Sequence, residues 1–287
     1  AAPNYGFGLS IVLYRVLFVL AGAALAEAGA LMQATLNNPL ASPNIIGVNA
    51  GSGLFVLLFA CIAPHALGMS AAAAFLGALA SALLVFFVSA HAGASRLTIV
   101  LAGMALTAIF TAGMNTVLIF NPDAYVNSSG FLVGSLSGVM MSELAIPGAM
   151  ICAGLLLAAG QGTRLNILSL GDEGAHALGL NVNRTRLALL SLAALLAGAA
   201  VCFSGLIGFV GLIVPHVVRY VVGHDNRRVL ALSPIVGAIL VCACDTIART
   251  LFAPFEIPVG SCMALVGGPF FIYLILHSRK GSVDGRA

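Results

Sequence analysis

One short stretch of this sequence, residues 166–186, concentrates side chains that could do chemistry: NILSLGDEGAHALGLNVNRTR. Only 7% of the chain is charged, yet two acids, a histidine and two arginines fall here within a few helical turns. They are Asp172, Glu173, His176, Arg184 and Arg186. Carboxylates and guanidinium groups this close can pair with one another or with charges on another protein. The stretch is therefore either a solvated connection or a docking element.

Glycines divide the stretch into two predicted helices. Asp172 to Leu178 can form two turns, with Gly171 before them and Gly179 after them, where glycine commonly ends a helix. Acidic residues at the start of the second helix suit the helix dipole. Apolar residues lie on both sides of the break, and together with the small residues they would let another protein approach the backbone closely. They are Leu168, Leu170, Ala175, Leu178 and Leu180.

Elsewhere the sequence has no constellation typical of an enzyme. A phosphate-binding loop needs Gly followed by Lys and Ser or Thr, but the only lysine, Lys280, lies near the C-terminus without a preceding strand or a spaced glycine. No nucleophile stands beside a base, and no carboxylate pair shares one depth. The histidines are scattered among loops and helix ends, at positions 65, 91, 176, 216, 224 and 277. The sequence predicts no catalytic residue, no metal site and no cofactor on this chain.

The elements that carry these residues are long apolar helices. The chain is 61% hydrophobic, and residues 28–95 contain no Asp, Glu, Lys or Arg. A helix of about 20 apolar residues crosses a bilayer, whereas barrel strands would be about 10 residues of alternating pattern. The sequence therefore predicts an all-α polytopic membrane protein. We predict nine spans, at 10–36, 46–63, 70–90, 97–120, 142–160, 187–204, 206–222, 229–249 and 260–277.

The basic residues predict the orientation of these spans. Ten of the twelve Lys and Arg residues fall on one side of the membrane, which the positive-inside rule makes cytoplasmic. The C-terminus and residues 166–186 would then lie inside, and the polar segment 121–130 would be an outer loop. Residue 1 would also lie outside. Because an outside N-terminus without a preceding span or signal is hard to insert, we expect that an earlier helix is missing from the sequence.

Several stretches resemble the FecCD family, the permeases of ABC importers for iron–siderophore complexes and cobalamin. LSLGDEGAHALGLNV (168–182) is similar to the coupling segment of that family. Four further stretches match in family order over nearly the whole chain. They are GAALAEAGALMQATLNNPLASPNIIGVNAGSG (22–53), SGLIGFVGLIVPHVVR (204–219), DTIARTLFAPFEIPVG (245–260) and ALVGGPFFIYLIL (264–276). Family members have ten spans, and the first has no counterpart here, in line with the expected missing helix.

The resemblance implies the type II ABC importer permease fold. Residues 1–287 would form a single transmembrane permease domain with a cytoplasmic coupling loop at about 162–186. Two permeases would stand side by side, driven from the cytoplasm by two P-loop ATPases that bind ATP and Mg. Residues 168–180 would insert into a cleft on the ATPase. The residues implied in this coupling are Leu170, Gly171, Asp172, Glu173, Ala175, Leu178, Gly179 and Leu180.

The resemblance also places contacts for an extracytoplasmic substrate-binding protein at Arg15 and Arg249. The planar guanidinium group of arginine engages carboxylates through two hydrogen bonds. Alternatively, Arg15 anchors its helix at the lipid head groups, and Arg249 pairs with Asp245 four residues before it. The family often has another arginine just before Arg15, where this chain has Tyr14, so the number of docking contacts stays open.

Three polar or apolar residues match family positions that narrow the cytoplasmic end of the path: Asn38, Leu40 and Ser95. Leu40 could seal the path by packing and Asn38 by hydrogen bonding, or Pro39 could simply end a helix.

Glu27 lies inside the first span, where a charge is expensive and often functional. The resemblance gives Glu27 no role, and a neutral or hydrogen-bonded carboxyl explains it equally well.

These features predict the permease subunit of an ATP-driven importer in a bacterial cytoplasmic membrane, moving a ferric siderophore by alternating access. Heme and cobalamin are alternative cargoes within the family. The implied partners are the ATPases, the binding protein, a second permease copy or paralogue, and membrane lipid, with no nucleic acid. A protein of another class, an ATP-independent secondary transporter or channel, would use charges inside the membrane. Only Glu27 and Asp245 are candidates for that role.

Overall fold

A computed structural model describes residues 5–63, 70–92, 95–135, 141–251 and 257–278. The regular structure over these ranges is entirely helical. In chain order the helices are α1 (Tyr5–Leu36), α2 (Val48–Ile62), α3 (Ser70–His91), α4 (Arg96–Phe120), α5 (Pro122–Leu132), α6 (Met141–Ala159), α7 (Gly162–Ser169), α8 (Asp172–Ala177), α9 (Val182–Ser204), α10 (Val210–Val222), α11 (Asn226–Leu251) and α12 (Val259–Ser278).

Each of the nine predicted spans coincides with a helix. Among the described residues, five helices are long and apolar enough to cross a membrane, namely α1 from Arg15, α3, α4, α9 and α11. A sixth crossing results if α6 and α7, which meet at a bend of 55°, are counted as one span. Helices α2, α10 and α12 are apolar over shorter stretches of 10–17 residues. The chain is thus a multi-pass, all-α membrane protein, as predicted.

The prediction of a loop at 121–130 is wrong, because most of the segment forms helix α5. Pro122 stands in the first turn, where its missing N–H is not needed, and Asp123 lies at the positive end of the helix dipole. Ala124 is buried, and Phe131 packs against the hydrophobic core. The polar composition favours a loop, whereas the tertiary contacts that stabilise a short helix do not appear in a local pattern.

Helix α1 is the central helix of the bundle, and most of its apolar stretch is buried against α9, α10 and α11. Two glycines permit this packing: Gly22 faces the backbone of Gly237 in α11, and Gly29 faces that of Gly211 in α10. A methyl group at either position would collide with a backbone carbonyl. Lipid provides no hydrophobic force between spanning helices, so close packing of this kind must hold them together.

Gln33 joins α1 to α10 through both ends of its amide. Its Nε2 donates to the carbonyl oxygens of Gly211 at 3.1 Å and Leu212 at 3.3 Å, and its Oε1 accepts from Arg219. Pro215 explains the first bond, because a proline has no N–H for the carbonyl four residues earlier, which is that of Gly211. A carbonyl freed inside a membrane helix needs another donor. The buried amide of Gln33 provides it.

Candidate functional site

The coupling segment, defined here as residues 162–180, consists of α7, α8 and the turns after them. The predicted break at Gly171 is confirmed, since α7 ends at Ser169 and α8 begins at Asp172. Gly171 has φ 93° and ψ 168°, a backbone conformation open almost only to glycine, and Gly179 has φ 80°. A side chain at either glycine would meet open space. Backbone conformation, and not crowding, therefore favours glycine at both turns.

The segment presents two leucines outward. The exposed fractions are 65% for Leu170 and 61% for Leu178, and the side chains of Asp172, Glu173 and His176 between them are exposed as well. Ala175 is fully buried, and Leu180 packs against the core. Of the apolar residues that the resemblance places in coupling, Leu170 and Leu178 are accessible to a partner, while Ala175 and Leu180 support the segment from within.

Hydrogen bonds attach α7 to the turn between α10 and α11. Asn166 Nδ2 donates to Asp225 Oδ1 at 2.7 Å, and Asn166 Oδ1 accepts from the backbone N–H and the side-chain amide of Asn226 at 2.9 Å and 3.0 Å. The guanidinium group of Arg227 donates to Thr163 Oγ1 at 2.9 Å and 3.2 Å. This attachment fixes α7 against the end of two apolar helices.

Ion pairs attach α8 to two other helices through its first residue, Asp172. Arg186 in α9 donates from one nitrogen, Nη2, to both carboxylate oxygens at 2.9 Å and 3.0 Å. Arg96, the first residue of α4, donates to Oδ1 at 2.7 Å and to the carbonyl of Leu168 at 3.3 Å. The Arg186 side chain is only 3% exposed, whereas that of Asp172 is 52% exposed. The carboxylate of Asp172 thus lies at the surface, in contact with the buried guanidinium group of Arg186.

The surroundings keep both acids of these attachments ionised. Burial raises the pKa of Asp172, but the hydrogen bonds and charges of Arg186 and Arg96 outweigh burial and leave the pKa below its ordinary value. The hydrogen bond from Asn166, followed by that from the backbone N–H of Arg227, lowers the pKa of Asp225. Both carboxylates are therefore negative throughout the neutral range.

A cavity of about 500 Å³ lies where α1, α7 and α10 end. Its polar lining includes Gln33, Asn37, Asn38, Ser169, His216, Arg219, Tyr220, His224 and Asn226. The coupling segment therefore contributes one wall, through Ser169, to the same cavity that the end of α1 lines.

The three predicted gate residues lie in two turns of the chain, Asn38 and Leu40 after α1 and Ser95 before α4. Asn38 lines the cavity, and its Oδ1 accepts from the backbone N–H of Leu40 at 2.9 Å, closing the turn after α1. Leu40 is exposed and lies outside the cavity walls. Ser95 lies outside them as well and caps α4, with its Oγ accepting from the backbone N–H of Thr98 at 3.1 Å. The gating role of these three residues stays a prediction.

At the opposite end of the bundle, the two predicted docking arginines differ. Arg15 is exposed near the start of the apolar part of α1. Arg249 donates from Nε to both oxygens of Asp245 at 2.9 Å and 3.1 Å, so the alternative intramolecular pair is present. This pair leaves the docking role of Arg249 a prediction.

Glu27 is buried in α1, with 1% of its surface exposed, and its Oε2 has no hydrogen-bond partner among the described residues. The sequence left open that a hydrogen bond stabilises the Glu27 carboxyl, and the described residues provide none at this oxygen. Over the described part of the chain, no three His, Cys, Asp or Glu side chains are grouped as metal ligands would be.

Residue patterns missed Gln33, Arg96 and Asn166 as parts of the site. Each binds an element far away in sequence, which local periodicity cannot show. A usable signal was present for Gln33 alone, since it is an amide inside an apolar run of α1. In the sequence, Arg96 is only one of the ten basic residues that predict the orientation of the spans.

The family model and the relatives found by comparison with known proteins are all transport proteins. The model of the FecCD transport family matches residues 7–277. The hemin transport system permease protein HmuU of Yersinia pestis is 40% identical over 279 residues, covering 95% of this chain and 84% of the relative. The Fe(3+)-citrate import system permease protein YfmD of Bacillus subtilis is 39% identical, covering 92% of this chain and 78% of the relative.

A solved structure also matches almost the whole chain. It is an inward-facing conformation of an ABC transporter assigned to the metal-chelate type, with a TM-score of 0.85 and 29% identity. The match covers 96% of this chain and 91% of the solved one.

Proposed function

Because the chain belongs to the FecCD transport family and is a permease of the ABC importer class, we propose that it imports an iron chelate, with a ferric siderophore as the first candidate. Relatives named for hemin and for ferric citrate support an iron-containing cargo. The chelate would cross whole, with the metal held by its own ligand. Heme is the second candidate, and cobalamin, the cargo of other family members, is the third.

The observation that carries the coupling part of the proposal is the shape of the coupling segment. Leu170 and Leu178 are exposed at the C-terminal ends of α7 and α8, beside two turns whose positive φ favours glycine, and hydrogen bonds and ion pairs fix both helices to the bundle. An exposed apolar patch on a rigid element is typical of a docking surface. The partner is a P-loop ATPase, which holds ATP and Mg and whose closure is driven by ATP.

Alternating access would follow from motion of this segment. Closure of the ATPase pair displaces α7 and α8, and the attachments at Asn166 and Asp172 pass the displacement to α4, α9 and α11. The cavity beside Ser169 then changes shape. In a pair of permeases, identical or paralogous, Asn38, Leu40 and Ser95 from both chains would narrow the cytoplasmic end of the path.

On the outer side, Arg15 and Arg249 would receive acidic residues of a substrate-binding protein. For Arg249 this requires sharing or exchanging its bond with Asp245, since Nε already donates to that carboxylate. Arg15, which is exposed, would form the contact without such an exchange.

The experiment is to purify the tagged chain gently from its native membrane and to identify what accompanies it. We expect a P-loop ATPase, and a solute-binding protein once chelate is added. Right-side-out vesicles with ATP inside and the binding protein outside are then given iron-55 ferrioxamine B, hemin or cobalamin. ATP-dependent uptake of ferrioxamine supports the siderophore assignment, and uptake of hemin or cobalamin alone replaces it. Uptake by the chain without any ATPase would contradict the importer and favour the secondary transporter.

A further inference from the structure

We propose that Asp172 is a positioning residue that connects the ATPase-docking helix α8 to the first turn of α4, so that movement of α8 reaches Ser95. This deepens the function proposed above and rests on it. Asp172 would not contact the ATPase; it would transmit the displacement that the ATPase imposes.

The first step compares Asp172 with its neighbour Glu173. Both acids lie in the first turn of α8, and both side chains are exposed to solvent. Asp172 faces two arginines of its own chain, at 2.7 Å and 2.9 Å. For Glu173, the described part of the chain provides no hydrogen bond or ion pair to its carboxylate. Glu173 is therefore available to a partner, whereas Asp172 is already engaged.

The second step concerns the helices that supply the arginines. Helix α8 packs mainly against α7 and α9, so the bond from Arg186 of α9 reinforces an existing contact. The bond from Arg96 reaches a third helix, α4, and it is the shorter of the two. Arg96 also donates to the carbonyl of Leu168 at 3.3 Å, which ties α4 to both halves of the coupling segment.

The third step is the place where the connection ends. Arg96 follows Ser95 directly, and Ser95 holds the first turn of α4 by accepting from the N–H of Thr98 and by a 2.7 Å hydroxyl contact with Thr98 Oγ1. Charge-assisted hydrogen bonds are short and strong, and they resist stretching more than neutral ones do. A displacement of Asp172 therefore moves the turn that carries Ser95.

The test is hydrogen–deuterium exchange on the permease–ATPase complex, without nucleotide and after trapping with ATP, Mg and vanadate. The first variant is Asp172→Asn, which keeps the size of the side chain. The second is Arg96→Gln, which removes the ion pair between α4 and Asp172 and keeps the pair with Arg186. Asp123→Asn, the same substitution at an exposed acid in the first turn of α5, is the matched control. In the wild type and in Asp123→Asn, trapping should alter exchange in both residues 172–180 and residues 95–99. In Asp172→Asn and Arg96→Gln the change in 172–180 should persist, while the change in 95–99 should shrink on the order of tenfold.

Each other outcome contradicts a specific claim. A full response at 95–99 in both variants overturns the connection and leaves the importer intact. Loss of the ATPase in Asp172→Asn, with Arg96→Gln and Asp123→Asn unaffected, also overturns it, because Asp172 would then be a direct docking contact. A wild-type chain that captures no ATPase, or whose residues 172–180 do not respond to trapping, overturns the proposed function itself. Arg96→Gln retains the buried Arg186 pair, so misfolding of Asp172→Asn alone would not decide the test.

Discussion

The centre of α1 and the coupling segment are held in opposite ways. Gly22 and Gly29 bring α1 against the backbones of α11 and α10 with no space for a methyl group. The coupling segment is instead fastened at two points by polar side chains, Asn166 and Asp172, and side chains at its glycine turns would meet open space. The packing around α1 depends on close contact between backbones, so it tolerates almost no larger side chain at these glycines. The segment depends on a few separable bonds, so it can be altered without loss of the fold.

The largest effect on stability should come from a larger side chain at a glycine in the core. Gly29→Leu would drive a side chain into the backbone of Gly211, and overpacking of this severity should cost about 3 kcal/mol or more of the free energy of unfolding. The measurement is the yield and thermal unfolding of detergent-purified protein. Gly268→Ala is the control, because a methyl group there meets nothing within 4 Å. Equal stability of the two variants would contradict the close packing of α1.

The next largest effect, on transport and ATPase stimulation, should come from replacing the glycines at the two turns of the coupling segment. Valine at both Gly171 and Gly179 forces a β-branched residue into positive φ, at about 1–2 kcal/mol per turn, and should distort α8. Membrane insertion should be normal, while transport and ATPase stimulation fall about tenfold, since 1.4 kcal/mol corresponds to a factor of ten.

Gly179→Asn provides the control for that prediction. Asparagine accepts a left-handed backbone better than other residues do, so this variant should retain most of the activity. Normal uptake by the well-expressed double valine variant would show that the shape of the segment does not matter for coupling.

A smaller effect should follow from releasing α7. Asn166→Ala removes the bonds to Asp225 and Asn226 that hold α7 against the start of α11. Exchange of the α7 amides should rise, and ATPase stimulation should fall a fewfold. Arg164→Gln is the comparison, because Arg164 pairs only locally with Gln161 in the described structure, at 2.9 Å. Equal exchange in the two variants would contradict an attachment through Asn166.

The smallest effect near neutral pH concerns the charge of Asp172. Its pKa is lowered in the folded protein, so its stabilising contribution is fully present above its ordinary pKa of about 4 and is lost as the pH falls through the lowered value. Exchange of the α8 amides, corrected for its intrinsic pH dependence, should be flat from pH 8 to 5 and rise only in stronger acid. Asp172→Asn should abolish that acid-dependent rise. A rise between pH 7 and 6 would show that another group controls the segment.

Sequence patterns predicted those parts of the molecule that depend on local composition. The nine apolar segments are helices, and the break and stop at Gly171 and Gly179 lie where the glycines indicate. Helix α5 escaped prediction because tertiary packing stabilises a polar sequence there. The partners of Asp172 could not be predicted either: Arg96 lies 76 positions away, and only the folded bundle brings the two together. Docking and gating roles rest on family resemblance and await their experiments.

The bond between Gln33 and the carbonyl that Pro215 leaves free has an evolutionary consequence. If a relative replaced Pro215 by a residue with an N–H, the carbonyl at position 211 would regain its helical donor and the amide at position 33 would lose an acceptor. If Gln33 were replaced first, that carbonyl would lack a donor inside the membrane. Either single step is unfavourable, so we expect substitutions at the two positions to occur together across relatives, as a correlated pair that an alignment can detect.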